Sequence, residues 1–150
     1  MLQRAEILYF EHSQAASLAR CLSRKYAVRA LQAPARGSKP SAPILGDDPV
    51  VCIADVGSGD LAVFQRLVRR TPRVRVIGIS RDGSSETAPG CFATLPRKAE
   101  PALVRKTVDA AIANIDLVQR EREARADLAR AEREMEELNR IGIALSQTHE

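Results

Sequence analysis

The sequence predicts an α/β fold: a five-stranded parallel sheet flanked by helices, continued by one long C-terminal helix. Three observations predict it. Short apolar runs alternate with helical segments over the first hundred residues, the pattern of strand–helix–strand units. The run Val50-Val51-Cys52-Ile53-Ala54-Asp55-Val56 is almost continuously apolar, as suits a strand covered on both faces. After Pro101, no proline interrupts residues 102–147 and Gly142 is the only glycine, so one helix can run through.

Composition bounds the function. The chain has 150 residues, enough for one domain and an appendage. With three Phe, two Tyr and no Trp, the core must be aliphatic. Cys21, Cys52 and Cys91 form no C-x-x-C pair, which argues against a zinc site or a disulfide framework and fits a cytoplasmic protein. His12 and His149 are the only histidines, which leaves little for histidine-based metal or triad chemistry. No apolar run approaches the roughly 20 residues of a membrane span. Residues 1–100 carry 15 Lys+Arg against 9 Asp+Glu, and residues 101–150 carry 8 against 10. The basic cluster Arg66, Arg69, Arg70, Arg73 and Arg75 has no interleaved aromatics to stack bases. It reads as a solvated helix face, and no nucleic-acid partner is expected.

The elements follow in order. Glu6–Phe10 reads as a short buried strand, with Glu11 and His12 at its carboxyl end. Ser13 can cap a helix over 14–25, whose Ala15, Leu18, Ala19 and Leu22 share one face. Val28–Gln32 is a second strand. Residues 34–49 hold Pro34, Gly37, Pro40, Pro43, Gly46 and Pro49, which favour a long loop. Val50–Val56 is the third strand. Asp60 can cap a helix whose Leu61, Phe64, Leu67 and Val68 face the core, and Thr71-Pro72 ends it. Val74–Ser80 is a fourth strand and Cys91–Leu95 a fifth.

The long helix carries two heptad stripes. Val108, Ala111, Ile115 and Val118 step by 3, 4 and 3, and Leu128, Ala131, Met135 and Leu138 do the same. A three-residue slip separates them, a stammer. Residues 120–137 are charged at 12 of 18 positions, so the polar face is well solvated. A helix of about 45 residues would reach about 70 Å, too long to fold back on a small domain. The expectation is a projecting parallel homodimeric coiled coil with these eight residues as its interface. Two stripes out of register could trade packing, a basis for signal relay.

The residues at the strand ends carry a resemblance. Over residues 5–118 the chain resembles a response-regulator receiver domain, which implies a flavodoxin-like fold. In that family a carboxylate pair after strand 1 binds Mg²⁺, and an aspartate after strand 3 accepts phosphate. A Ser/Thr after strand 4 and a Lys before Pro after strand 5 contact the phosphoryl group. Glu11 matches one acid of the pair, but His12 replaces the second. Asp55 matches the phosphoacceptor and Ser80 the hydroxyl. Leu95-Pro96 replaces Lys-Pro. Phosphoryl transfer needs a hard-cation site and neutralised phosphoryl oxygens. The resemblance therefore implies a degenerate receiver with no cofactor, and with Mg²⁺ only if Asp55 is phosphorylated. The family's second and fourth helices are reduced here, so apolar strand surface around Val74, Val76 and Ile77 is expected to be uncovered and to meet a partner.

Two further stretches matter. Asp55-Val56-Gly57-Ser58-Gly59-Asp60 resembles the first motif of S-adenosylmethionine-dependent methyltransferases, where glycines allow close cofactor approach. Glu137-Leu138-Asn139-Arg140-Ile141-Gly142-Ile143-Ala144-Leu145-Ser146 resembles the entry helix of a GAF sensory domain. That implies a piece of a longer signalling protein, whose output could be a cyclic-di-GMP phosphodiesterase, a cyclase or a kinase. The expected organisation is a receiver-like domain over 1–100, its last helix starting near 101, a coiled-coil linker over 101–148, and a GAF start after 138. The expected function is a non-catalytic input and dimerisation module, without enzymatic activity of its own and without a membrane partner. The alternatives are a phosphorylatable receiver using Asp55, and a methyltransferase-like fragment.

Overall fold

The computed structural model describes residues 3–32, 43–82 and 86–148. The elements are β1 (Gln3–Phe10), α1 (Ala15–Ala19) with a 3-10 turn (Arg20–Leu22), β2 (Tyr26–Leu31), β3 (Val50–Asp55), α2 (Gly59–Arg70), β4 (Val74–Ser80), β5 (Ala93–Pro96) and α3 (Pro101–Thr148). The five strands form one parallel sheet in the order β2-β1-β3-β4-β5. The chain winds outward in both directions from β1, so the carboxyl ends of β1 and β3 flank the point where strand order reverses. Ligands of open α/β sheets bind at that point.

Side chains alternate between the faces of each strand, and both faces are covered. On one face Ile7, Val51, Ile53, Ile77 and Ile79 pack with Leu18 and Leu22 and with Val104, Val108, Ala111 and Ile112 of α3. On the other, Leu8, Phe10, Cys52, Val74 and Val76 pack with Leu61, Phe64 and Leu67 of α2. The core is aliphatic as composition requires, with Phe64 and Tyr26 its large fully buried rings.

Several expectations change. Val74, Val76 and Ile77 are buried, not uncovered. Val74 and Val76 lie under α2, with Leu45 of the β2–β3 connection and Cys91 packed against the same cluster. Ile77 faces α3 in the opposite layer. Among the described residues, Leu45 and Cys91 thus add to the cover that α2 gives this face. Residues 43–49 form no helix or strand, and residues 34–42 of the expected loop lie outside the described residues. The first helix is shorter than expected because it gives way to the 3-10 turn at Arg20. Ser13 does not cap it; its hydroxyl donates back to the carbonyl of Phe10 at 2.7 Å. Ser58, in extended conformation, is the N-cap residue of α2, and Asp60 sits in the first turn.

The chain divides into two compact units, residues 1–116 and 117–150, and the boundary falls inside α3. The first unit includes α3 as far as Asp116. Val108, Ala111 and Ile115 are no more than 2% exposed there, as core residues of a single chain. This corrects their assignment to a dimer seam: a side chain already packed in its own domain's core is not available to a second helix. The idea of two competing seams falls with it. Lys25 and Arg75 fasten the same stretch, to Asp109 at 2.9 Å and to the side-chain oxygen of Asn114 at 3.0 Å.

In the second unit Leu117, Leu128, Met135, Leu138, Ile141, Ile143 and Leu145 are all at least half exposed. Leu117, Ala124, Leu128, Ala131, Met135, Leu138 and Leu145, with Glu121 and Gly142, follow one unbroken sequence of 4- and 3-residue steps. Val118 is half-buried and stands outside that sequence.

Candidate functional site

Parallel pairing brings the carboxyl ends of β1, β3, β4 and β5 to one edge. Asp55 pairs in register with Ile79, and Ser80 with Pro96. The sheet therefore places Asp55 and Ser80 on neighbouring strand ends, with Glu11 one residue past β1.

Asp55 is 6% exposed. Its Oδ2 accepts from the backbone N–H of Gln14 at 3.3 Å, and its Oδ1 is buried with no hydrogen-bond partner among the described residues. Its own carbonyl accepts twice from Ser58, from the hydroxyl at 2.7 Å and from the backbone N–H at 3.2 Å. These bonds close the β3–α2 turn, in which Gly57 takes φ +83°. That left-handed conformation accounts for the glycine through the turn itself.

The other receiver positions are spent elsewhere. Ser80 is buried, and its hydroxyl donates to Asp82 at 2.6 Å. Glu11 is exposed, with its backbone N–H donating to Leu31. His12 points its Nε2 at Asp60 Oδ2 across 3.0 Å, from one strand end to the first turn of α2. Leu95 is buried in the core. A Mg²⁺ ion wants several oxygen ligands in near-octahedral order. Asp55 offers one carboxylate, half covered by Gln14, and the position of the second carboxylate holds an imidazole already engaged. Among the described residues no group of three His, Cys, Asp or Glu is placed to hold a metal ion. The residues present do not fit Mg²⁺.

Gln14 is the part of this corner that sequence reasoning missed. Nothing in its spacing marks it, because its contribution is a backbone N–H. The seam residues Leu128, Ala131, Met135 and Leu138 belong to the second unit.

Cys52 is buried, and Cys21 and Cys91 are partly exposed. Burial pushes the Cys52 thiol far above its ordinary range, and the Glu6 carboxylate pushes the same way. Burial also raises Cys91 and, against the opposing charge of Arg105, Cys21.

No family model matches the chain, and no curated protein matches it. Solved structures do. The signal receiver domain of a protein described as a LuxO repressor from Vibrio parahaemolyticus matches with TM-score 0.54 and 13% identity, over 79% of this chain and 96% of that one. An adenylate cyclase structure from Rhodopirellula baltica matches with TM-score 0.53 and 17% identity, over 81% and 96%. A yeast Spc42 trimeric coiled coil fused to another structure matches with TM-score 0.53 and 17% identity, over 95% and 98%. At these identities the likeness is one of fold. The first unit has the flavodoxin-like fold of receiver domains, and the chain continues it with a long C-terminal helix.

Proposed function

We propose that this chain is a non-catalytic signalling input module: a pseudo-receiver joined to an oligomerising helix that leads to an output domain in the same polypeptide. One observation carries the reading. The residue at the phosphoacceptor position is buried under Gln14, while the groups that would serve a phosphoryl transfer are absent or engaged elsewhere. A fold that keeps its sheet and loses its chemistry is best used as a docking and positioning body.

The exposed stripe from Leu117 to Leu145 supports the second half. A helix whose apolar residues keep a heptad spacing and stay exposed gains by burying them against another helix, at roughly 25 cal/mol per Å² removed from water. The stripe does not share its residues with the domain core, so assembly and folding are separate. The cyclase, cyclic-di-GMP phosphodiesterase or kinase that such a helix would serve belongs to the same proposal, as does the GAF entry at residues 137–146.

Light scattering on the whole chain tests it. A homo-oligomer that Leu138→Glu converts to monomer is the expected result. A wild-type chain that stays monomeric at the highest soluble concentration removes the relay reading.

A further inference from the structure

The β5–α3 connection and the start of α1 line an open surface cavity of about 410 Å³, bordered by Ser13, Gln14, Ser17, Arg20, Arg97 and Lys98. Among the described residues no carboxylate lines it. Arg20, Arg97 and Lys98 are exposed, and among the described residues none of these three side chains has an ion pair. Elsewhere on the same domain Lys25 pairs with Asp109 and Arg29 with Glu6. Three unpaired cations round one concavity repel one another and raise the local potential for an anion.

The other polar groups narrow the ligand. The hydroxyls of Ser13 and Ser17 already donate to the carbonyls of Phe10 and Gln14, at 2.7 and 2.9 Å. The backbone N–H of Gln14 is taken by Asp55. Among the described residues the remaining side-chain donors facing the cavity are the three charged ones and the amide of Gln14, whose buried Oε1 has no partner. Two guanidinium forks and one ammonium suit the several oxygens of a phosphate dianion better than a single carboxylate. The volume lies in the range of small-molecule sites, large enough for the phosphate and a modest body attached to it. Asp55 does not line the cavity, but Gln14, whose backbone N–H donates to it, does, so the site adjoins the phosphoacceptor position without including Asp55.

We propose that this cavity binds a small molecule carrying a phosphate monoester. The inference gives the pseudo-receiver reading an input ligand and rests on it only for that role. Nothing in the order of the residues announces it, since Arg20 and Arg97 meet only through the fold.

The test is a two-dimensional amide NMR titration of the whole chain with inorganic phosphate and, separately, with adenosine monophosphate, against chloride at matched ionic strength. Saturable shifts at Ser17, Arg20 and Lys98 are expected, and Arg97→Gln and Lys98→Gln should each weaken binding about tenfold, as for loss of one charge-assisted hydrogen bond. These side chains are exposed, so the variants keep the fold. Tighter binding of the monophosphate than of free phosphate assigns the rest of the cavity to the ligand's body; equal binding assigns recognition to the phosphate alone. Both support the site. No saturable shift with either probe, or shifts unchanged in the Arg97→Gln/Lys98→Gln double variant, overturns it. Light scattering keeps the two ideas apart. A monomer that binds phosphate retains the site and loses the relay. An oligomer that does not bind retains the relay and loses the site.

Discussion

The backbone N–H of Gln14 reaches Oδ2 of Asp55 across 3.3 Å, while Oδ1 of the same carboxylate is buried with no partner among the described residues. A phosphoacceptor must present an oxygen to its donor, and this one presents neither. Beryllofluoride with Mg²⁺, a phosphoryl mimic, should leave the amide spectrum around Asp55 unchanged. A slow-exchange bound form there would restore the phosphorylatable reading.

The same geometry sets the cost of removing the charge. A buried carboxylate with one long donor is poorly compensated. Asp55→Asn is expected to change unfolding free energy by less than about 1 kcal/mol, on the scale of one net hydrogen bond. Urea denaturation measures it, and a loss above about 3 kcal/mol, the scale of a broken buried pair, would reveal a partner for Oδ1.

Ile115 and Leu117 are two residues apart yet have opposite roles. Ile115 is 2% exposed and Leu117 is 64% exposed. Two residues span about 200° of helix, so they lie on nearly opposite faces. Ile115→Ala should cost the first unit about 2–5 kcal/mol, the range for a fully buried aliphatic. Leu138→Ala should leave the unfolding of that unit unchanged and lower the association constant instead. Denaturation monitored at two protein concentrations separates the effects.

The charges beside the seam predict a salt response. With Leu128 at an a position and Leu138 at a d position, a parallel pair sets Arg120 against Arg125 and Asp127 against Glu132 of the other copy. Both contacts join like charges. Raising ionic strength from about 0.1 M to about 1 M shortens the screening length from about 10 Å to about 3 Å. Association should then strengthen with salt, as sedimentation equilibrium would read. Weakening with salt would point to an antiparallel pair.

Cys52 gives a pH dependence. Its thiol is raised in the folded chain by burial and by Glu6, against an unfolded value near 9.0. Below that value both states hold the proton and stability is unaffected. Above it the unfolded state releases the proton first, so stability falls by up to about 1.4 kcal/mol per pH unit until the folded thiol also ionises. Cys52→Ala should make the alkaline decline shallower. A thiol reagent should modify Cys21 and Cys91 in the native protein and Cys52 only after denaturation.

Gly78 matters for space. A Cβ there would stand 2.9 Å from Cγ2 of Val56 and 3.4 Å from Sγ of Cys91. Val56 is β-branched and stiff, so it cannot easily turn away. Gly78→Ala should destabilise by about 1–3 kcal/mol, as overpacking does. An unchanged melting temperature would show that the β3–α2 turn yields.

Much of the fold was legible. The strand at Val74–Ser80 falls where its apolar run lies, and Thr71-Pro72 ends α2 as proline chemistry requires. The strand at Val50 was legible because a continuous apolar run has few other uses. The site was legible only in part. Asp55 and Ser80 announce themselves by type and place, whereas Gln14 acts through its backbone and Arg97 through a loop. No side-chain pattern encodes either.

The sequence by itself determined the parallel α/β body, its aliphatic core and the long helix, because period, glycine and proline are local signals. Tertiary structure decided how the two stripes of that helix are used. Both have heptad spacing, and spacing records only that a face is apolar. Packing against the sheet claims Val108, Ala111 and Ile115 for the domain, and leaves Leu128, Met135 and Leu138 exposed. It decided likewise that Val74 and Val76 are covered, by a helix and by loop residues whose approach depends on contacts far apart in sequence.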